Sequence, residues 1–120
     1  MTPPLAEFRW IGELLHTSGI TALGSDPLGG FDEQLRVVFA RLLDILHRNG
    51  QTPSDVVAVS VYLSAMSDYE QLNVLYRQFF GGPPWPIRTT VECGLFPGVL
   101  VEVSAVAERN ASAAARGSKS

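Results

Sequence analysis

The segment at residues 83–107 constrains the fold of this chain more than any other. It opens with a proline-rich stretch, which forces an extended backbone, and continues as two apolar runs separated by the glycine- and proline-containing residues 94–98. This pattern predicts two β-strands joined by a turn. One strand opens with a cation, Arg88, and the other carries a lone carboxylate, Glu102. We therefore expect a cation and an anion on neighbouring strands, as in a small-molecule site.

The length of 120 residues predicts one domain, which we place at residues 1–108. The small, polar residues 109–120 are predicted to form a disordered C-terminal tail. The net charge of −3, without a basic cluster, argues against nucleic acid as a partner. No apolar run approaches the ~20 residues of a membrane helix, so we expect no membrane association.

A cytoplasmic location is expected for two reasons. Cys93 is the single cysteine, which excludes an internal disulfide framework and fits a reducing compartment. The first ten residues lack the basic region and the following apolar region of a secretory signal.

Apolar periodicity predicts the element order β-β-α-β-α-β-β. The predicted strands are residues 8–11, 14–18, 56–63, 87–93 and 99–108, and the predicted helices are residues 31–49 and 68–80. The strand at 56–63 is apolar at nearly every position, so we expect it to be central and covered on both faces. Two helices can cover only one face of such a mixed sheet, and we expect the other face to pack against another subunit.

The second predicted helix has two notable features. Ser67 and Glu70 have the spacing of a capping box at its start. Asn73 lies within a wide apolar face, where its amide needs hydrogen-bond partners. The apolar members of that face are Tyr69, Leu72, Tyr76, Phe79 and Phe80.

Arg88 and Glu102 are the candidate site residues that the sequence alone supplies. The guanidinium of Arg88 offers a planar fork that fits a carboxylate. Glu102 alternates with apolar residues along its strand, and a carboxylate there is rarely buried without a partner. Two interpretations remain open for the pair: a structural ion pair, or an anion-binding arginine with a carboxylate that activates water.

Other chemistry-bearing residues give no stronger signal. Cys93 has no histidine near it in sequence and is interpreted as a packing residue. His16 and His47 lack partners at metal-ligand spacing, so no metal site is predicted.

Several motifs resemble the RidA (YjgF) family of reactive-intermediate deaminases over nearly the whole chain. They are GELLHTSG at 12–19, VSVYL at 59–63, the DY, N, Y and FF positions of 68–80, PIRTTVE at 86–92 and LVEVSAVA at 100–107. The resemblance implies an α+β, chorismate-mutase-like fold with two helices on one face of a mixed sheet. It also implies a homotrimer whose sheets form an inner barrel, with ligand clefts between subunits.

The resemblance further implies an enzyme that hydrolyses an enamine or imine, such as 2-aminoacrylate or its imine, to a keto acid and ammonia. No metal or organic cofactor is implied. By position, Arg88 matches the family's carboxylate-binding arginine, and Glu102 matches the acidic residue that holds the attacking water. Ser18 and Gly19 match the segment that lines the cleft, and Asn73 matches an asparagine near the site.

Some positions differ from the family pattern. Leu5 stands where a tyrosine is usual, Thr90 where a cysteine is frequent, and the link from Arg88 to Glu102 is one residue shorter. Trp85 adds a large aromatic ring, and we expect both Trp85 and Thr90 to contact substrate. These differences keep two alternatives open. One is a pathway-dedicated enzyme acting on a larger conjugated intermediate in catabolism or secondary metabolism, and the other is a non-catalytic trimer that binds small carboxylates.

Overall fold

Five strands and two helices follow one another in the predicted order β-β-α-β-α-β-β in a computed structural model, which describes residues 2–109 and 111. The strands are β1 (Phe8–Ile11), β2 (Leu14–Thr17), β3 (Val56–Leu63), β4 (Ile87–Glu92) and β5 (Val101–Glu108). The helices are α1 (Phe31–Arg48) and α2 (Tyr69–Phe80), and single 3-10 turns at Pro53–Asp55 and Met66–Asp68 precede β3 and α2.

The strands form one mixed sheet in the order β1-β2-β5-β3-β4, in which only β3 and β4 are parallel. The expectation that the strands of Arg88 and Glu102 are neighbours is therefore wrong, because β3 lies between β4 and β5. The connection between β4 and β5 passes over the end of β3. There the N–H of Cys93 donates to the carbonyl of Leu63 (2.9 Å), and the N–H of Ser64 donates to that of Leu100 (3.1 Å).

The core lies between the sheet and both helices. Alternate residues of β3 and β5 point into it, and α1 and α2 contribute their apolar faces: Val59, Val61, Leu63, Val101, Val103 and Ala105 from the strands, and Leu35, Val38, Leu42, Leu72 and Leu75 from the helices. On the other face of β3, Ala58, Ser60 and Tyr62 are half-buried, so one chain covers only one face of this strand and the predicted cover of the second face by another subunit stays a prediction. On the same open face, Ile87 of β4 is 75% exposed.

The start of α2 differs from the prediction. Ser67 lies within the 3-10 turn, and the residue that caps the helix, Asp68, makes no side-chain capping bond. The predicted capping box is therefore absent. Instead, the N–H of Met66 donates to the Glu92 carboxylate (2.6 Å), so the end of β4 fixes the approach to the helix.

A buried glutamine fixes the loop that leads to β5. Gln34 of α1 is fully buried, and its Nε2 donates to the carbonyls of Gly29 (3.0 Å) and Gly98 (2.8 Å). Its Oε1 accepts the N–H of Leu100 at 2.9 Å. One side chain thus satisfies three backbone groups and ties α1 to the strand that carries Glu102.

The predicted tail lies outside the described residues, apart from Arg109 and Ala111. Arg109 is held against the β1–β2 hairpin. Its N–H donates to the carbonyl of Glu13 (2.8 Å), its guanidinium pairs with that residue's carboxylate (3.1 Å), and it lies over the ring of Trp10 (3.9 Å). Neither of the described helices is long and apolar enough to cross a membrane.

Candidate functional site

Arg88 is held in place by three side chains of α2. Its Nη2 donates to Oδ1 of Asn73 (2.9 Å) and to the hydroxyl of Tyr69 (3.2 Å). The centre of its guanidinium lies 4.8 Å from the centroid of the Tyr76 ring and 5.5 Å from that of Tyr69. Hydrogen bonds and cation–π contacts restrict the side chain while leaving its charge unneutralised. The amide of Asn73 thereby finds the partner that its position required.

The local sequence explains this arrangement. Tyr69, Asn73 and Arg77 recur every four residues and therefore line one side of α2. Gly81 ends the helix in the left-handed conformation (φ +81°), and the chain then returns to start β4 parallel to β3. Arg88 pairs in register with the inward-pointing Val59, so its side chain projects to the helix side of the sheet.

These residues border an open cleft of about 230 Å³, lined by Asn73, Tyr76, Arg77, Trp85, Pro86 and Arg88. Trp85 is 45% exposed, and its ring centroid lies 6.4 Å from that of Tyr76. The structure thus brings together three of the predicted site residues, Asn73, Trp85 and Arg88. Thr90, two residues further along β4, does not line this cleft.

Tyr76 is nearly fully buried, and its hydroxyl has no hydrogen-bond partner among the described residues. Burial disfavours the charged phenolate and raises the pKa of Tyr76 to about 12, while the nearby charge of Arg88 acts in the opposite direction. Tyr76 therefore stays uncharged throughout the physiological pH range, and its neutral ring supports the charged Arg88.

The second predicted group forms around Glu102. This residue alternates with the buried Val101 and Val103, and therefore lies on the face of β5 away from the helices. Its carboxylate rests against Gly19, where an added Cβ would collide with it. Ile20 holds the segment in place by exchanging two backbone hydrogen bonds with Val103, at 2.7 and 3.0 Å. A side chain at position 19 would displace this carboxylate, so the glycine keeps Glu102 in its observed position.

Two further clefts adjoin this second group. Ser18 and Gly19 line an open cleft of about 730 Å³ between α1 and the N-terminal residues, and Leu5 also borders it. Glu102 borders another of about 520 Å³, which includes Cys93 and the exposed Phe96. The predicted Ser18, Gly19 and Glu102 are thus neighbours, and each borders space that a ligand or a second chain can enter.

The two groups do not meet within one chain. Arg88 pairs with Val59, which pairs in turn with Ala105, three residues along β5 from Glu102. Two strand spacings of ~4.8 Å and three residues of ~3.3 Å separate their Cα atoms by about 14 Å. The side chains also lie on opposite faces of the sheet. The interpretation of Arg88 and Glu102 as a structural ion pair is therefore wrong, and the ion pairs of the described residues involve only Arg48 and Arg109 as cations.

Sequence reasoning missed Tyr69, Tyr76 and Arg77 as parts of the site. Helical spacing indicates that both tyrosines belong to the apolar face of α2, where aromatic residues are usually core, and it does not distinguish Arg77 from other exposed arginines. Their spacing of three or four residues from Asn73 was the available signal. No group of three His, Cys, Asp or Glu side chains that could hold a metal ion occurs among the described residues.

Comparison with known proteins agrees with this arrangement of elements. Residues 6–109 match the family described as Endoribonuclease L-PSP. A RutC family protein of Pyrococcus abyssi is 36% identical over 109 residues, which cover 87% of this chain and 85% of that protein. A YjgF family member from Neisseria meningitidis superimposes with a TM-score of 0.82 at 25% identity, covering 92% of this chain and 91% of the other. RidA from an Antarctic Psychrobacter species has the same fold, with a TM-score of 0.81 at 24% identity over 90% of each chain.

The mixed sheet with two helices on one face, together with these matches, defines a protein of the YjgF-like α+β class. The chain belongs to the RidA/YjgF family, as its motifs predicted.

Proposed function

We propose that this protein is a hydrolytic deaminase of reactive enamines and imines that carry a carboxylate, with a keto acid and ammonia as products. The observation that carries the proposal is the restrained, charged Arg88 at the wall of an open cleft. Family membership supports the same assignment, because the residues that match the family's site are the ones that form the two groups described above.

Arg88 binds the substrate carboxylate in this proposal. Both of its hydrogen bonds leave from Nη2, and among the described residues no side chain bonds to Nη1 or Nε. Donors therefore remain for an incoming anion, and a charge-assisted bond to a carboxylate is about twice as strong as a neutral one. Asn73 and Tyr69 restrict the guanidinium before the substrate arrives, which lowers the entropic cost of orienting the imine.

Glu102 positions and activates the attacking water. An enamine first gains a proton on carbon and loses one from nitrogen, which gives an imine. Water then adds its oxygen to the imine carbon while Glu102 accepts one proton of the water and passes it to the nitrogen, which gives a carbinolamine. In the collapse of the carbinolamine the proton of its hydroxyl moves through Glu102 to the nitrogen, the C–N bond breaks, the C=O bond of the keto acid forms and ammonia leaves with Glu102 ionised again.

A complete site requires two copies of the chain, because Arg88 and Glu102 lie on opposite faces of the sheet within one copy. We infer a homotrimer in which each site takes Arg88 from one subunit and Glu102 from its neighbour. The exposed Ile87 and Val91 on the open face of β4 favour such an association, since burying them removes apolar surface from water.

Mixing two inactive variants tests the shared site directly. Arg88→Ala and Glu102→Gln are each expected to be inactive in ammonia release from freshly generated 2-aminoacrylate and to remain trimeric. Unfolding and refolding them together in equal amounts should restore about one quarter of the wild-type activity, because that share of sites receives both intact residues in a ring of three. No recovery in verified mixed trimers would contradict a site shared in this way.

Two other outcomes would redirect the assignment. Binding of 2-oxobutyrate that needs Arg88, without turnover of any imine, would indicate a carboxylate-binding module. Turnover confined to larger conjugated imines would indicate a pathway-dedicated enzyme, which the exposed ring of Trp85 beside Arg88 favours.

A further inference from the structure

We propose that the Arg88 cleft contains a second anion-binding position at Arg77, and that the substrates are imino acids with two anionic groups, above all dicarboxylates of four or five carbons. This inference rests on the proposed deaminase function. It adds the class of substrate, which neither the family match nor the first arginine specifies.

The first observation is the position of Arg77. It lines the same cleft as Arg88, lies one helical turn after Asn73, and is exposed. Among the described residues no side chain bonds or pairs with its guanidinium. The residues three and four positions away are Val74, Phe80 and Asn73 of α2 and the capping residue Gly81, so the helix supplies no acidic partner.

The second observation is the charge of the cleft. Its six lining residues include two arginines and no carboxylate, although the whole chain has a net charge of −3. Arg77 lies in the last turn of α2, where the helix dipole favours a cation by about 0.3–1 kcal/mol. The dipole explains why an arginine is tolerated at the end of α2. It does not explain why Arg77 borders the same cleft as Arg88. A dianion neutralises both.

The dimensions agree with a short dicarboxylate. Arg77 lies four residues after Asn73, the residue that holds Arg88, and this spacing corresponds to a rise of ~6 Å along α2. A chain of four or five carbons places its two carboxyl carbons about 4–5 Å apart. The cleft of about 230 Å³ holds a molecule of this size, and Trp85 and Pro86 offer an apolar wall to its carbon chain.

Binding of stable keto acids tests the second position without requiring turnover. Calorimetry should show that the trimer binds 2-oxoglutarate about tenfold more tightly than 2-oxobutyrate, as expected for one further charge-assisted contact. Arg77→Gln should abolish this preference, because it should weaken 2-oxoglutarate binding about tenfold more than 2-oxobutyrate binding, and Arg77→Lys should restore part of it. Arg36→Gln is the matched control, because Arg36 is an exposed arginine of α1 that does not line the cleft.

Turnover separates failure of this inference from failure of the proposed function. The imines of glutamate and of 2-aminobutyrate, generated by an amino acid oxidase, should both release ammonia faster with the protein, the first with the higher kcat/KM. If both are hydrolysed equally well and Arg77→Gln changes neither, the dicarboxylate inference is wrong and the deaminase proposal stands. If neither is hydrolysed and neither keto acid binds, the deaminase proposal fails, and the dicarboxylate inference fails with it.

Discussion

Asn73 Oδ1 accepts a 2.9 Å hydrogen bond from Nη2 of Arg88, and this bond joins the middle of α2 to the start of β4. The two residues are 15 positions apart and belong to elements that the chain connects through a tight glycine- and proline-rich turn. The bond orients the Arg88 guanidinium without neutralising its charge, because the amide of Asn73 is uncharged.

Replacing that neutral partner with an acid should weaken substrate binding. Asn73→Asp is nearly isosteric and would place a carboxylate against the Arg88 guanidinium, where it competes with the carboxylate of the substrate. We expect the Kd of 2-oxobutyrate, measured by calorimetry, to rise about tenfold or more, with thermal stability unchanged or higher. Gln78→Glu makes the same charge change on an exposed position of α2 outside the cleft and should leave binding intact.

Gly19→Ala should reduce activity without unfolding the protein. A Cβ at this position collides with the carboxylate of Glu102, and the flexible end of that side chain must move away. Since a misplacement of about 1 Å can cost on the order of a hundredfold in rate, we expect kcat for ammonia release to fall at least tenfold. Gly30→Ala is the comparison, because there the added Cβ meets only the mobile end of Glu33 at 3.1 Å. Equal activity in the two variants would show that the Glu102 position does not matter.

Tyr76→Phe should stabilise the fold and change its response to alkaline pH. The variant removes a buried hydroxyl that has no partner, which costs about 1–3 kcal/mol, so the free energy of unfolding should rise by roughly 1 kcal/mol in urea titrations. Because the folded-state pKa of about 12 exceeds the ordinary value of 10.0, the folded state holds the proton longer than the unfolded state.

Raising the pH above 10.0 should destabilise the wild type through Tyr76, because the unfolded state then loses the phenolic proton first. The contribution of this tyrosine to stability is fully present below pH 10.0 and is lost as the pH rises toward about 12. Tyr76→Phe should therefore lose less stability than wild type over this interval. If the free energy of unfolding fell equally with pH in the two proteins, the assignment of the alkaline effect to Tyr76 would be contradicted.

Gln34→Leu should be severely destabilising. Leucine fills a similar volume but leaves two carbonyls and one N–H, those of Gly29, Gly98 and Leu100, without the buried side chain that now satisfies them. We expect a loss of about 2–5 kcal/mol in the free energy of unfolding, measured by urea denaturation. Gln71→Leu, which removes one half-buried bond to Asp32, should cost far less.

The local pattern of apolar residues was sufficient to predict the strands and helices of this fold. It was insufficient to predict which strands pair with one another in the sheet. Apolar alternation predicted β3 with its observed bounds and placed both ends of α1 within one residue. It failed for residues 83–107, since a turn between two apolar runs does not reveal whether the strands pair directly. The backbone bonds of Leu63 and Ser64 decide that the connection passes over β3 instead.

The candidate site shows the same division. Arg88, Glu102, Gly19 and Asn73 were recognisable because chemically distinctive residues occur in a family pattern. Tyr69 and Tyr76 were not, because an aromatic residue at helical spacing has the same sequence signature whether it packs in a core or supports an arginine. Only the return of the chain from α2 to β4 brings both rings to the guanidinium.

The sequence by itself determined the order of strands and helices and the family, because these depend on local periodicity and on residue identity. Tertiary structure alone decided that β3 separates Arg88 from Glu102 and that the two side chains leave opposite faces of the sheet. Such relations depend on contacts between residues far apart in the chain, and strand alternation then fixes on which face each side chain lies.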